Sequence, residues 1–288
     1  MIWINRFYDI FFFTTFVRFL LVERIGKIKI EDTKMKKIVI YGLSVMGLLL
    51  TSCLGDPATS LTMALQPAVV QLEPVKVLCV KGGDKISSTD FQKKSVADGE
   101  CFLVDYSIDM GAAENAEGGK ANGYYTAIIG PYTNVSKWPL FTNLTDTLGV
   151  EPNELSVSVV HDRRAYIQGE FFLFTDLAGH LESQVDSFSL SYNPDQAMVG
   201  DSRIYDLYLR VMKVKEGQEQ TEATLFTANA FHLEDFVNEA SAKETPDKDG
   251  KRTVNFRINY VSGFNSDTTQ CIWKSSNVFT IDVLNQAQ

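Results

Sequence analysis

The sequence has few of the residues that usually carry catalysis. It contains 4 Cys and 3 His among 288 residues, and it has no C-x-x-C, H-E-x-x-H or G-x-S-x-G motif. Redox, zinc-hydrolase and serine-hydrolase chemistries therefore lose their simplest signatures. The histidines stand apart along the chain, and the charged stretch His161–Arg164 is interpreted as a hairpin loop between two strands. No catalytic residue, metal ion or cofactor is expected, and the chain is interpreted as a non-enzyme.

The sequence also has no block of basic residues. Residues 1–52 contain 8 Lys or Arg and 4 Asp or Glu, so 19 basic and 32 acidic residues remain from Cys53 onwards out of chain totals of 27 and 36. That remaining part has a formal charge of −13. Because a surface of this charge repels phosphate, nucleic acid is excluded as a partner.

Long apolar runs are absent as well. Thirteen uncharged residues, Ile38–Leu50, follow the basic start Met35-Lys36-Lys37 and lead into Leu50-Thr51-Ser52-Cys53. A membrane-spanning helix needs about 20 apolar residues, so residues 35–52 are predicted to be a secretory signal peptide. The Cys after two small residues resembles the lipobox of bacterial lipoproteins. This resemblance implies that the Cys53 thiol is acylated and anchors the protein in the membrane of the cell envelope, with the outer membrane expected and the face left open.

The segments on either side of this signal are not expected to belong to the folded body. Residues 1–34 are interpreted as the product of an upstream start codon chosen in error, and a genuine membrane segment is the alternative. Residues 53–66 begin with small and polar residues and include Pro57, which is typical of a flexible tether. A short helix at residues 60–65 is a second interpretation of its last part.

The rest of the chain is predicted to be all-β. Ten segments are rich in β-branched and aromatic residues, and in Thr253–Tyr260 apolar and polar residues alternate, which indicates one buried and one hydrated face and favours an antiparallel sheet. Leu233–Ala242 is the main predicted helix. The polar loop 144–153, which contains Pro and Gly, separates residues 67–143, short enough for a small five-stranded barrel, from residues 144–288, an antiparallel β-sandwich.

Beside the lipobox, five stretches carry a resemblance to a known family: Gly123-Tyr124-Tyr125, Asn134-Val135, Pro139-Leu140, Ile204–Arg210 and Phe231-His232-Leu233. Together they are similar to the NigD-like lipoprotein family. The resemblance implies an OB-like barrel in the N-terminal part and a β-sandwich in the C-terminal part. Members often carry a run of Asp after the lipidated Cys, whereas this chain has only Asp56, so the face of the membrane on which the protein is displayed stays open.

Three cysteines remain if Cys53 is acylated. Cys79 and Cys101 lie in neighbouring predicted strands, so a disulfide between them is one interpretation. Three small buried thiols, with Cys271 as the third, are the other.

Aromatic residues are the best candidates for ligand contact: Tyr124, Tyr125, Tyr132, Trp138 and Trp273. Exposed rings of this kind would stack on sugars, whereas buried ones would form ordinary core packing. The expected function is recognition of an envelope or extracellular ligand, either a glycan or an envelope protein. The alternative is a hydrolase acting on glycan or peptidoglycan with a pair of carboxylates. An acidic pair in a deep cleft would favour the hydrolase, and a shallow aromatic strip would favour binding.

One modification site is also suggested by the sequence. Asp146-Thr147-Leu148 resembles the D-T-hydrophobic pattern of O-glycosylated envelope proteins. Thr147 in the loop between the two β units is therefore a candidate for O-glycosylation.

Overall fold

A computed structural model describes residues 60–119, 121–143, 147–195 and 203–284. The predicted extension at residues 1–34, the signal peptide at 35–52 and the lipidation site Cys53 lie outside these ranges. None of the helices in the described ranges has the length and apolar character of a membrane-spanning segment. The elements are β1 (Ser60–Gln71), β2 (Val77–Val80), β3 (Lys85–Ser87), α1 (Thr89–Gln92), β4 (Cys101–Asp109), helical turns at Ala113–Asn115 and Ala116–Gly119, β5 (Tyr125–Phe141), β6 (Glu154–Leu155), β7 (Val157–Ile167), β8 (Glu170–Glu182), β9 (Val185–Tyr192), β10 (Ile204–Lys215), β11 (Gln218–His232), α2 (Glu234–Ala242), β12 (Lys251–Phe264), β13 (Cys271–Ser275) and β14 (Phe279–Leu284).

The first five strands close into a barrel. β1 pairs antiparallel with β2 and β4, β2 with β3, and β4 with β5, while β3 and β5 pair in parallel. The resulting order β1-β2-β3-β5-β4-β1 is a five-stranded Greek-key barrel of the OB type. Inward-facing residues such as Leu78, Ile86 and Val104 fill it, and Phe91 of α1 is buried against them.

β5 continues from the barrel into the rest of the protein. Its residues 136–139 pair in parallel with β11, and Leu140 and Phe141 pair with β9. The first sandwich sheet has the order β7-β8-β11-β5. The second has the order β5-β9-β10-β12, and both β13 and β14 pair with the far side of β12.

The sandwich core lies between these two sheets. On β12 the alternating residues Val254, Phe256 and Ile258 are fully buried, as their spacing predicts. The rings of Phe171 and Phe256 meet edge to face with centroids 5.2 Å apart. α2 covers one end of this core with Phe236, so the predicted helix is confirmed.

A further core joins the barrel to the first sandwich sheet. The outer face of the barrel contributes residues such as Val69 and Leu103, and the sheet contributes Phe172, Phe174 and Ala230. The described residues from Ser60 onwards consequently belong to one compact unit.

The all-β class, with a small OB-like barrel followed by a β-sandwich, is confirmed. Several details differ from the predictions. Residues 60–66 form the first half of β1, not a tether or a helix. β12 runs antiparallel to β13 and β14 but parallel to β10. The alternation of apolar and polar residues indicates that one face of the strand is buried. It does not indicate whether the neighbouring strand is parallel or antiparallel.

The hairpin predicted at His161–Arg164 is wrong. β7 continues through this stretch, and its pairing with β8 shifts between Val160 and Arg164, because three residues of β7 stand opposite Phe174 alone. The chain reverses at Gln168 and Gly169, which have φ of 50° and 83°, a pair of left-handed residues that suits a two-residue hairpin turn. A β-bulge interrupts the alternation of apolar and polar residues in the sequence, as a loop does, and it changes the direction in which the side chains point.

The disulfide between Cys79 and Cys101 is also wrong, since both are free thiols. Cys79 on β2 and Cys101 on β4 both pair with Val69 of β1, so the two cysteines lie on opposite sides of that strand. Two strand spacings put their Cα atoms about 10 Å apart, whereas a disulfide needs less than about 7 Å. Burial raises the pKa of the Cys101 thiol to about 12, with a smaller contribution from the charge of Glu170, so Cys101 stays protonated.

Candidate functional site

The structure does not bring the four candidate aromatic residues of the first β unit together. Tyr124 packs between the barrel and the sandwich, Tyr125 and Tyr132 pack on the barrel core, and Trp138 packs on the sandwich core. The Trp138 indole donates a 2.8 Å hydrogen bond to Asn229 Oδ1. These four rings therefore contribute to three separate packing clusters.

Trp273, the fifth candidate, lies on the outer face of the second sandwich sheet. Tyr208 meets it edge to face, with ring centroids 5.4 Å apart and an interplanar angle of 82°. Both side chains are half-buried, so part of each ring faces solvent. The outer strip is defined here as Trp273 and Tyr208 together with Asp206, Arg257 and Asn259.

The polar members of the outer strip are fixed by one another. Asp206 stands opposite Arg257 in the parallel register of β10 and β12. Arg257 binds both carboxylate oxygens of Asp206, through Nε at 2.5 Å and Nη2 at 3.2 Å. Asn259 Nδ2 donates to Asp206 Oδ1 at 2.9 Å, and Ser275 donates to Asn259 Oδ1 at 2.6 Å. The strip is a preformed hydrogen-bonded network beside two aromatic rings, and Asn259 within it is 8% exposed.

The charge state of Asp206 follows from these contacts. Burial alone would raise the pKa of Asp206, but the hydrogen bonds from Arg257 and Asn259 and the charge of Arg257 outweigh it and lower that pKa below its usual value. The same hydrogen bond raises the pKa of Arg257. Both groups are therefore charged at any physiological pH.

A buried ion pair supports Trp273 at the end of the strip, on the same face of β10. The guanidinium carbon of Arg210 lies 5.5 Å from the centroid of the Trp273 ring, and Arg210 Nη1 donates to Glu154 Oε2 at 3.0 Å. Arg210 Nη2 also donates to the Gly149 carbonyl at 3.0 Å. The Trp273 indole N–H donates to the Thr147 carbonyl. The segment 147–154 thus holds Trp273 in one orientation, and Thr147 is half-buried; its O-glycosylation stays a prediction.

The sequence pattern contained a signal for most of these residues. In Ile204–Arg210 the polar or amphipathic residues Asp206, Tyr208 and Arg210 alternate with apolar ones, which places them on one face of a strand. The pattern does not show that this face meets Trp273, because β10 and β13 are far apart in the chain.

An open cleft of about 490 Å³ lies at the edge of the sandwich. Its lining comes from the β2–β3 turn, from the bulged part of β7, from β8 and from β14: Lys81, Asp162, Arg164, Ala165, Tyr166, Phe171, Thr280, Ile281 and Asp282. Asp162 lies within the bulge of β7, and Arg164 stands where the regular pairing with β8 resumes. We call this cavity the edge cleft.

The edge cleft holds two carboxylates, the feature that would favour a hydrolase. Asp162 is 62% exposed and accepts a 2.6 Å hydrogen bond from Arg164. Asp282 is 50% exposed, with Lys251 at 3.2 Å and Thr253 at 3.0 Å. A glycosidase acid is usually a carboxyl kept protonated by an apolar site. Both carboxylates here are solvent-exposed and paired with cations, and neither lies in an apolar site of that kind.

A third group of titratable residues lies where the barrel meets the sandwich. The side chain of Glu170 is 4% exposed, and its Oε1 lies 3.2 Å from Lys137 Nζ and 3.0 Å from His232 Nδ1. Because Lys137 lies on β5 and His232 at the end of β11, the Glu170 carboxylate connects these two strands with β8. The neighbouring thiol of Cys101 is protonated and offers no nucleophile. Within the described ranges, no three His, Cys, Asp or Glu side chains are grouped so that they could hold a metal ion.

Comparisons with known proteins agree with this architecture. A family model described as "Lipoprotein OB domain" matches residues 58–133, which are the barrel strands up to the middle of β5. No curated protein matches the chain. The fold is similar to the crystal structure of an uncharacterized protein from Parabacteroides merdae, with 22% identity, a TM-score of 0.66, and coverage of 77% of this chain and 98% of that one.

Two other solved structures have lower similarity. A protein of unknown function from Bacteroides vulgatus has 15% identity and a TM-score of 0.47, with 78% of this chain and 93% of that one covered. A NigD-like immunity protein from Bacteroides caccae has 11% identity and a TM-score of 0.40, with 76% and 93% covered. The architecture that the NigD-like resemblance implies, an OB barrel followed by a sandwich, is confirmed. Residues 58–133 match the lipoprotein OB domain model, and this match supports a lipoprotein of the cell envelope.

Proposed function

We propose that this chain is a lipoprotein anchored in the outer membrane through Cys53, and that it binds a glycan without catalysing a reaction. The observation that supports glycan binding is the outer strip. Trp273 and Tyr208 present partly exposed rings beside the fixed network of Asp206, Arg257 and Asn259.

The chemistry of the outer strip suits a sugar ring. The C–H face of a pyranose packs on an aromatic ring, and aromatic side chains bury such area at low entropic cost. The hydroxyl groups at the ring edge need planar donors and acceptors, which amide, carboxylate and guanidinium groups supply. Because Arg257 and Ser275 already fix Asp206 and Asn259, little side-chain entropy is lost when a ligand binds.

The hydrolase alternative is less well supported. It would use Asp162 and Asp282 in the edge cleft, where each is exposed and paired with a cation. Catalytic acids and bases need a protonation state set by their surroundings. A binding role requires no such group, and the partly exposed rings of the outer strip support it.

Binding to immobilised glycans tests the proposal. We expect the full-length chain to bind at least one glycan, and Trp273→Ala to weaken that binding about tenfold or more in titration calorimetry. Trp138→Phe is the matched control, since Trp138 packs on the core away from the strip, and it should keep the affinity. Absence of binding to every glycan, or equal affinity in Trp273→Ala, would contradict the proposal. Cleavage of a bound glycan that is lost in Asp162→Asn or Asp282→Asn would establish the hydrolase instead.

A further inference from the structure

The edge cleft has unused hydrogen-bond donors. Among the described residues, Lys81 has no acidic partner, and the guanidinium of Arg164 uses only Nη1, on Asp162, while its Cζ lies 5.3 Å from the centre of the Phe279 ring. Tyr166 lines the same cavity without a hydrogen-bond partner in the described ranges. Burial, followed by the charges of Glu234 and Glu170, raises the pKa of Tyr166 to about 12, so its phenol keeps its proton.

The acceptors of the edge cleft are largely engaged. Asp282 uses Oδ2 on Lys251 and Oδ1 on Thr253, and Asp162 uses Oδ1 on Arg164. The groups that remain to meet a ligand are therefore mainly an ammonium, guanidinium N–H groups and a phenol. Such a set suits an anion, and a guanidinium suits the planar carboxylate above others. Because the chain as a whole is acidic, an anion would be attracted by these cleft residues and not by the net charge of the protein.

A row of polar residues connects the edge cleft with the outer strip. Thr280, which lines the cleft, donates to Asn255 Oδ1 at 3.1 Å. Asn255, Arg257 and Asn259 then follow one another on the same face of β12, opposite the buried Val254, Phe256 and Ile258. With a rise of about 3.3 Å per residue, Asn255 and Asn259 are about 13 Å apart. This distance exceeds one sugar ring, so a single sugar cannot occupy both ends.

We infer that the edge cleft and the outer strip together bind an oligosaccharide that carries a carboxylate, as a hexuronic acid does. The carboxylate lies in the cleft at Lys81 and Arg164, and another sugar ring of the same chain lies on Trp273. This inference rests on the proposed function and specifies its ligand as an acidic oligosaccharide.

Oligogalacturonides of two to six units, and the same oligomers with every carboxyl methyl-esterified, are the probes for titration calorimetry with the full-length chain. We expect affinity to rise by about tenfold or more with oligomer length, as the chain spans both parts, and the methyl esters to bind more weakly. Lys81→Ala and Arg164→Ala should each weaken binding of the free acids about tenfold and leave binding of the esters unchanged. Lys93→Ala, which removes an exposed lysine elsewhere on the barrel, is the matched control.

The outcomes separate this inference from the proposed function. Equal affinity for acids and esters, no effect of Lys81→Ala and Arg164→Ala in proteins with unchanged thermal unfolding, or no binding of any galacturonide would overturn the acidic ligand. If neutral glycans still bound in a Trp273-dependent manner, glycan recognition would stand while the carboxylate site would be wrong.

Discussion

Arg210 and Glu154 form an ion pair inside the protein, with Nη1 and Oε2 3.0 Å apart and side-chain exposures of 8% and 0%. The pair joins β10 to the short strand β6 and supports the Trp273 ring. Such a pair adds little net stability over apolar residues of the same size, but losing one partner leaves a buried charge.

Arg210→Met should therefore lower the free energy of unfolding by about 3–5 kcal/mol in urea titrations. The double variant Arg210→Met with Glu154→Leu should recover most of that loss, since no buried charge then remains. A double variant as unstable as the single one would show that Arg210 acts through its packing on Trp273 and its hydrogen bond to Gly149, and not through the ion pair with Glu154.

The Asp206–Arg257 pair predicts a pH dependence of stability. The pKa of Asp206 is lower in the folded state than in the unfolded chain, where it is about 3.9, so the pair contributes stability above that value and loses it as the pH falls through the folded pKa. Unfolding curves should show wild type more stable than Asp206→Asn at pH 6, with a difference that shrinks below about pH 4. Asp90→Asn, which alters an exposed carboxylate, should show no such difference, and a constant gap in Asp206→Asn would contradict the argument.

Much of the fold could be predicted from local patterns. Alternation in Thr253–Tyr260 correctly gives the buried face of β12, and the polar loop and turn signals give an all-β chain. The partner of each strand could not be predicted, because Asp206 meets Arg257 across 51 residues and a shift of one position would turn every side chain to the other face.

The candidate site was predictable only in part. The sequence identifies Trp273 as an aromatic residue near the end of the chain. Four similar rings are used for packing, and the sequence alone does not distinguish an aromatic residue in a core from one on a surface. The edge cleft depends on the bulge in β7, which in sequence is a charged run like that of a loop. Its role becomes visible only when β14 and Lys81 are placed beside it.

Cys79 and Cys101 are predicted to resist alkylation in the folded protein. Both are buried at the junction of barrel and sandwich, and burial raises the pKa of each thiol, that of Cys101 to about 12. Because the thiolate is the reactive form, iodoacetamide at pH 8 should modify them only after unfolding in guanidinium, as read by peptide mass spectrometry. A mass consistent with a Cys79–Cys101 disulfide in either state would contradict the geometry.

The barrel and the sandwich are predicted to unfold together. They share β5 and the apolar cluster that contains Val69, Leu103 and Phe174, so neither can open without exposing that surface to water. Calorimetry should give one transition with equal calorimetric and van't Hoff enthalpies. The loop 144–153 remains the expected position of the first proteolytic cut. A stable fragment of about residues 153–288 would show instead two units that fold independently.

Acylation of Cys53 is predicted from the basic, apolar and small residues that precede that cysteine. In a Gram-negative host fed a labelled fatty acid, wild type should carry the label and fractionate with the membrane. Cys53→Ala should lose the label, because the acyl chain is attached through the thiol. Cys271→Ala is the matched control, since it removes a thiol from the folded body and should leave labelling unchanged. Labelling that survives in Cys53→Ala, or a purified protein whose N-terminus is intact Met1, would contradict the lipobox and with it the anchor.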